Sequence, residues 1–299
     1  MQIPFLAQAL TAQYGEAVAA QIEQGMGEQR ITTLRANLLK TTPEDVASVL
    51  SAAGIAYTRW AAEDAAFLLE GADERAVQAL PLYERGEIYL QSLSSMLPPL
   101  ALAPQEGADI LDMAAAPGGK TAQMAAMTGN RANITACEIN QIRAEKLKYN
   151  LEKQGATRVN IMVRDARKLE VFFRFDQILL DAPCSGSGTI LLNEPASYRA
   201  FSEKLVRNSA VTQLALLKKA LTILKRGGTM VYSTCSILNT ENENVVRAAL
   251  KGAHAHVEPI ILPGMETLPL LPCALEGALC VRPTAQYEGF FVARIRKDG

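Results

Sequence analysis

Apolar and polar positions along the chain fall into two regimes that meet near residue 90. In the first, residues 5–26 follow a helical rhythm, and 31–39 reads as a strand leading through Thr42-Pro43-Glu44 into a helix ending at Ala53. Short strand-like pieces follow at 56–60 and 67–69, so this part forms a small α+β unit. From Ala108 onward, strands at 109–113, 133–138, 160–163 and 175–180 alternate with helices from Pro117 and over 141–154. Such alternation predicts a parallel, doubly wound α/β sheet. A helix over 198–224 is expected to end at Gly227-Gly228 with Lys225 and Arg226 in its last turn, and a fifth strand, 229–232, follows. Thr240 and Glu243 match a capping box for a helix over 241–250. Residues 256–273 read as irregular, and the runs 278–282 and 289–295 as an antiparallel hairpin. The expected domains are therefore 1–90 and 91–299.

At 299 residues and 49% hydrophobic, the chain can bury a substantial core. No apolar run approaches the roughly 20 residues of a membrane helix, and Met1–Pro4 lacks a signal-peptide start, so the expected location is the cytoplasm. Five cysteines, sparse and without zinc-ribbon spacing, predict reduced thiols rather than a disulfide framework, and no metal site is expected. The only histidines, His254 and His256, lie outside every strand-end motif, which weighs against chemistry that needs a histidine base. The formal charge of −1 hides an asymmetry: residues 1–100 carry six basic against twelve acidic side chains, and the remainder is mildly basic. A basic surplus within 141–174 fits either a polyanion contact or the solvated face of a helix.

Two cysteines end apolar strands. Cys184 lies in Asp181-Ala182-Pro183-Cys184-Ser185-Gly186 after the fourth strand, and Cys235 in Tyr232-Ser233-Thr234-Cys235-Ser236 after the fifth. Ligands of open α/β sheets bind outside the carboxyl ends of the strands, so both thiols are expected at one crevice. Cys137, inside a strand, and Cys273 and Cys280, outside the strand-end motifs of the parallel sheet, read as packing residues.

The first strand runs into Ala114-Ala115-Ala116-Pro117-Gly118-Gly119-Lys120-Thr121, a small-residue turn before a helix, where free N–H groups favour an anionic ligand. A phosphate loop would need glycine where Ala114 stands, and the dinucleotide pattern Gly-x-Gly-x-x-Gly is absent. Glu138 nevertheless ends the second strand about 20 residues after Gly118, where a carboxylate accepts from a ribose. A nucleoside cofactor without phosphate, S-adenosylmethionine, meets that description. Asp165 after the third strand and Asp181 after the fourth strengthen it.

These motifs, together with Ala136-Cys137-Glu138, Arg143, Asp165-Ala166, Glu241-Asn242-Glu243 and the run Gly289-Phe290-Phe291-Val292-Ala293, make the chain resemble the Nop/Sun family of RNA 5-methylcytosine methyltransferases, especially its bacterial ribosomal-RNA members. The resemblance spans most of the chain and implies a Rossmann-like class I methyltransferase sheet. It implies that Ala115, Ala116, Pro117, Gly118, Gly119 and Lys120 hold the methionine moiety of S-adenosylmethionine, Glu138 the ribose and Asp165 the adenine neighbourhood, supported by Arg143. Asp181 is implied between cofactor and target base, Cys235 as the nucleophile and Cys184 as the group that assists release of methylated RNA.

Chemistry agrees with that division. Thiolate addition to carbon 6 of cytosine makes carbon 5 nucleophilic, and a base must later remove the carbon 5 proton; Cys184, Asp181 or a water are the candidates. The resemblance favours ribosomal over transfer RNA and a monomeric enzyme. Some relatives carry a further C-terminal RNA-binding domain, so recognition is expected here from the N-terminal unit and the rim of the sheet, with Arg30, Arg35, Lys40, Arg199 and Lys204 as candidate contacts. A catalytically idle RNA-binding or ribosome-assembly factor is the rival reading, and retention of both cysteines argues against it.

Overall fold

The computed structural model describes residues 3–299; Met1 and Gln2, where the search for a targeting segment begins, lie outside the described residues. Helices α1 (Pro4–Tyr14) and α2 (Glu16–Gly27) stand where one continuous helix was expected. Gly15 separates them at φ +78°, a conformation that helix-interior residues cannot share, and its N–H caps the Thr11 carbonyl at 2.9 Å.

Four strands then form a small antiparallel sheet in the order β2–β3–β1–β4: β1 (Thr33–Ala36), β2 (Ala56–Trp60), β3 (Glu63–Glu70) and β4 (Ile88–Leu90). Helix α3 (Pro43–Ala52) starts at Thr42, whose hydroxyl accepts from the Asp45 N–H, and two short helices, α4 (Glu74–Gln78) and α5 (Pro81–Glu84), lead into β4. Strand β1 stops well before residue 39 because Asn37 turns the chain. Its Oδ1 accepts from the Leu39 N–H, and its Nδ2 donates to the carbonyls of Gly86 and Gln154. Leu34, Val46, Leu50, Phe67 and Ile88 close a separate apolar core.

After α6 (Leu93–Leu102) comes the main unit: β5 (Asp109–Asp112), α7 (Gly119–Met127), β6 (Asn133–Glu138), α8 (Gln141–Gln154), β7 (Val159–Val163) and β8 (Phe175–Asp181). It continues with α9 (Pro195–Tyr198), α10 (Glu203–Ile223), β9 (Leu224–Thr234), α11 (Glu243–Leu250), β10 (Ala255–Glu258), β11 (Leu279–Val281) and β12 (Phe290–Lys297). The strand order is β10–β12–β9–β8–β5–β6–β7, with β11 also paired to β12. Strands β5 to β9 run parallel and β12 runs antiparallel to β9, so the expected doubly wound sheet and terminal hairpin are both present.

Order reverses between β5 and β8, and the crevice opens at the carboxyl ends of those strands. One face of the sheet packs Leu111, Ile178, Leu180, Met230 and Phe291 against Leu6, Leu10, Ile22 and Met26, so α1 and α2 pack with the large sheet. The other face packs Ile110, Leu179, Val231 and Val292 against Met96 and Leu97 of α6.

Four local expectations are corrected. Helix α10 begins only after Ser202, whose hydroxyl caps the Leu205 N–H, and Leu224 already takes an extended conformation, so Lys225 and Arg226 belong to β9. Lys225 there pairs with Asp176 at 2.9 Å instead of capping a helix. Helix α7 starts at Gly119, two residues later than expected. The capping box does not form: Asn242 is the N-cap of α11 and Thr240 is exposed. Finally, part of the stretch expected to be irregular is β10, paired with β12 from Ala255↔Lys297 to Glu258↔Arg294.

Polar contacts tie the two sheets together. Besides Asn37, Lys40 donates through Nζ to the carbonyls of Arg85 (2.9 Å) and Lys153 (2.7 Å). At the other end, the buried Trp60 donates through Nε1 to the Tyr287 hydroxyl at 2.8 Å.

Candidate active site

Strands β8 and β9 are neighbours in register, Asp181 opposite Ser233, so the residues just past them emerge side by side. The part-buried Cys184 and Cys235 meet with their Sγ atoms 3.1 Å apart, each a free thiol. Loop contacts hold them there. The Gly188 N–H donates to the Cys235 carbonyl at 3.0 Å, and the hydroxyls of Ser187 and Ser236 share a hydrogen bond at 2.9 Å. The Cys184 thiol is pushed well above its ordinary pKa by its hydrogen bond with Cys235 and then by burial. It therefore keeps its proton through the neutral range.

Cys235 lines a cavity of about 430 Å³ between the two sheets. Its walls include Ala115, Ala116, Pro117, Gly119 and Lys120 of the β5–α7 turn, together with Asp112 and Asp181. Lys120 crosses the cavity. Its Nζ pairs with Asp181 Oδ2 at 2.7 Å, donates to Ser95 Oγ at 2.7 Å and stands 5.6 Å from the centre of the Phe290 ring. Burial alone pulls the Lys120 pKa down, but the Asp181 carboxylate more than offsets it, leaving a firmly held ammonium. Asp181 Oδ1 also accepts from Ser233 Oγ at 2.8 Å.

The predicted cofactor residues divide. Gly118 forms the N-cap of α7 and is absent from the cavity wall. Glu138, Arg143 and Asp165 also lie outside the wall, at and beyond the ends of β6 and β7. Glu138 is buried, accepts from the Asn140 N–H at 2.9 Å and faces Arg143 Nη1 at 3.5 Å. Arg143 in turn donates through Nη2 to the Ala116 carbonyl at 2.9 Å, linking the Glu138 carboxylate to the small-residue turn. Asp165 caps a short 3₁₀ turn, and the Arg167 guanidinium holds its carboxyl below the usual range.

Of the expected RNA contacts, one is corrected. Arg35 is buried on β1 at 3% exposure, with Nε donating to Gln91 Oε1 at 3.3 Å, whereas Lys40 is exposed and donates to the carbonyls named above. Arg30 lines the cavity while donating to the Thr284 carbonyl, and Arg199 and Lys204 are exposed. His254 and His256 are exposed; His256 Nδ1 contacts Asp298 at 2.9 Å.

Two residues had no role in the sequence reading. Asp112 ends β5 against the cavity, 1% exposed; Oδ2 accepts from Thr121 Oγ1 at 2.7 Å, while Oδ1 has no partner. Burial raises its pKa to about 6. Its place at the carboxyl end of the first parallel strand was the available signal. The second is Glu241, buried behind both thiols, whose signal was its place in the Glu241-Asn242-Glu243 run six residues after Cys235.

Residues 99–296 match the family model described as 16S rRNA methyltransferase RsmB/F. The chain belongs to this family. Among curated relatives of this RsmB/F chain, it is 34% identical over 276 residues to the probable ribosomal RNA small subunit methyltransferase B of Bacillus subtilis, covering 89% of this chain and 60% of that one. It is 37% identical over 280 residues to the human 28S rRNA (cytosine(4447)-C(5))-methyltransferase, covering 90% of this chain and 34% of that protein. The chain thus spans less than two thirds of these relatives. A solved methyltransferase homolog from Pyrococcus horikoshii superposes with a TM-score of 0.83 at 31% identity over 99% of both chains.

The family places the Nop/Sun resemblance and the Rossmann-like methyltransferase fold on firm ground. Within that fold, the other three cysteines of this RsmB/F chain are packing residues. Cys137 and Cys280 are buried and Cys273 is part-buried, and burial pushes Cys137 to about 12 and Cys273 to about 11.

Proposed function

We propose that the chain methylates carbon 5 of a cytosine in RNA, ribosomal RNA before transfer RNA, with S-adenosylmethionine as methyl donor. The observation that carries this reading is the thiol pair at the ends of β8 and β9, with Cys235 on the wall of the cavity that also holds Lys120 and Asp181. The names of the family and of the human relative support the substrate class. No helix among the described residues is long and apolar enough to cross a membrane, and a cytoplasmic location and a monomeric state are part of the proposal.

The cavity suits the cofactor. Asp112 Oδ1 is an unpartnered buried acceptor at the turn, matched to an ammonium, and Ala115, Ala116, Pro117 and Gly119 leave the wall without bulky side chains. A Cβ on Gly119 would lie 2.8 Å from the Tyr89 ring, so this position has no room for a side chain. Lys120, Gly118, Glu138, Arg143 and Asp165 complete the proposed binding set. When bound, S-adenosylmethionine supplies an electrophilic methyl group.

Cys235 is the nucleophile in this reading. Its thiolate adds to carbon 6 of a cytosine unstacked into the cavity, and carbon 5 becomes the nucleophilic centre. Asp181, fixed between Lys120 and Ser233, faces the pyrimidine edge. Loss of the carbon 5 proton to a base then expels the Cys235 thiolate and restores the aromatic ring. Cys184, protonated at neutral pH and 3.1 Å away, is placed to assist that release. The four-stranded sheet, within residues 1–90, is the proposed RNA-recognition domain, and residues 91–299 the methyltransferase domain.

The test incubates the protein with methyl-labelled S-adenosylmethionine and ribosomal RNA or small subunits lacking the modification. Label in 5-methylcytosine that disappears in Cys235→Ala, with a protein–RNA adduct accumulating in Cys184→Ala, is expected. Absence of label with naked or assembled RNA, despite bound cofactor, would sink the reading in favour of an idle binding factor.

A further inference from the structure

Glu241 takes no part in the chemistry above, yet both reactive loops converge on it. The side chain is wholly buried. Oε1 accepts from the Ser185 N–H at 2.7 Å and from Gln213 Nε2 at 3.3 Å; Oε2 accepts from Ser185 Oγ at 2.5 Å and Ser236 Oγ at 2.7 Å. Ser185 follows Cys184 and Ser236 follows Cys235, so one carboxylate grips the residue next to each thiol. Gln213 extends the grip to the Cys184 loop by donating to the Pro183 carbonyl at 3.0 Å, and the Tyr232 hydroxyl anchors the Glu241 carbonyl at 2.5 Å. A carboxylate is an acceptor at both oxygens, which four converging donors require.

We infer that Glu241 is a positioning residue: by holding Ser185 and Ser236 on one side chain, it sets the separation of the Cys184 and Cys235 sulfurs. The position also explains why residue 241 lies outside α11, since its side chain is drawn to the two loops. The functional consequence rests on the proposed thiol chemistry, whereas the positioning itself can be read without it.

Diamide supplies that independent readout. It takes two protons and two electrons from a pair of adjacent thiols, leaving a disulfide and its own hydrazine, at a rate that depends on how the sulfurs are presented. Peptide mapping after brief diamide treatment should recover a Cys184–Cys235 cross-link from wild type. Glu241→Ala should form it about tenfold more slowly and lose methyl transfer by a similar or larger factor, since misplacement by about 1 Å can cost about a hundredfold in rate. Its cofactor affinity should stay within about twofold of wild type.

Glu241→Gln should recover most of both rates, because its carbonyl can serve the Ser185 N–H while the serine hydroxyls turn to accept from its amide. Glu241→Asp, one methylene short, should not. If Glu241→Ala does not fold, Ser236→Ala removes one arm alone and should show an intermediate loss. Wild-type cross-linking in Glu241→Ala, or in Ser236→Ala should that variant be needed, overturns the assignment. Slowed cross-linking in a protein whose wild type methylates no RNA would uphold the positioning role and discard the function proposed for the thiols.

Discussion

The small antiparallel sheet and the crevice of the large sheet treat their polar side chains differently. At the small sheet, Asn37 and Lys40 spend their donors on carbonyls of Gly86, Arg85, Lys153 and Gln154, so side chains that could face a ligand fasten the two sheets together. At the crevice, Asp112 keeps one buried oxygen without a partner, and the Cys184 and Cys235 thiols have chiefly each other. Buried polar groups are normally satisfied, so those left open mark where a ligand is needed. The seam is built for stability and the crevice for chemistry, and the contrast can be tested from both sides.

The largest expected effect is at the crevice. Cys235→Ala should lower methyl transfer by at least about a thousandfold with little change in melting temperature, because it deletes the proposed nucleophile and only one sulfur's packing. Parallel thermal melts and label incorporation check this; loss of stability in step with activity would break the contrast. Next comes Gly188→Ala. A Cβ there would lie 2.0 Å from the Gly289 carbonyl oxygen, a backbone contact with no soft side chain to yield, so a loss of about 3 kcal/mol in denaturant unfolding is expected.

Asn37→Ala probes the seam. It strips the buried Gln154 carbonyl of its Asn37 donor, leaves the Gly86 carbonyl with Gln154 Nε2 alone, and should cost about 2 kcal/mol, while leaving cofactor affinity measured by calorimetry unchanged. The smallest effect has the opposite sign. Burial raises the Asp112 pKa to about 6, so its contribution to stability is present at low pH and is lost as pH rises from about 4 through 6. Asp112→Asn should therefore stabilise the cofactor-free protein by up to about 2 kcal/mol at pH 8 and give little at pH 4, at the expense of cofactor binding. Equal melting temperatures for the two proteins at pH 8 would show that Oδ1 is satisfied after all.

Much of this architecture was legible because local signals agreed with the fold. Strand β6 and helix α8 have the bounds expected from sequence: Asn140 caps the Arg143 N–H, and Gly155 ends the helix in a left-handed turn. The cysteine motifs were legible for a similar reason, since apolar runs stop just before them and parallel strands open a crevice there. What failed were local patterns overruled by distant partners. Thr240 and Glu243 have the right spacing for a capping box, but Glu241 and Asn242 are claimed by Ser185, Thr234 and Ser236, which no local window contains. Arg35 was misread as a surface cation because charge is visible in a sequence and burial is not.

The tryptophan–tyrosine contact at the seam has an optical consequence. Trp60 is the sole tryptophan of the sequence, buried in the small sheet with its indole N–H on the hydroxyl of Tyr287, a residue near β12. Its emission colour and quenching therefore report on one junction alone, without a label. Should the small sheet swing away from the crevice to admit a folded RNA, the indole would meet water and its fluorescence would shift to the red. Should the RNA thread in with the seam closed, the spectrum would hold still throughout the titration.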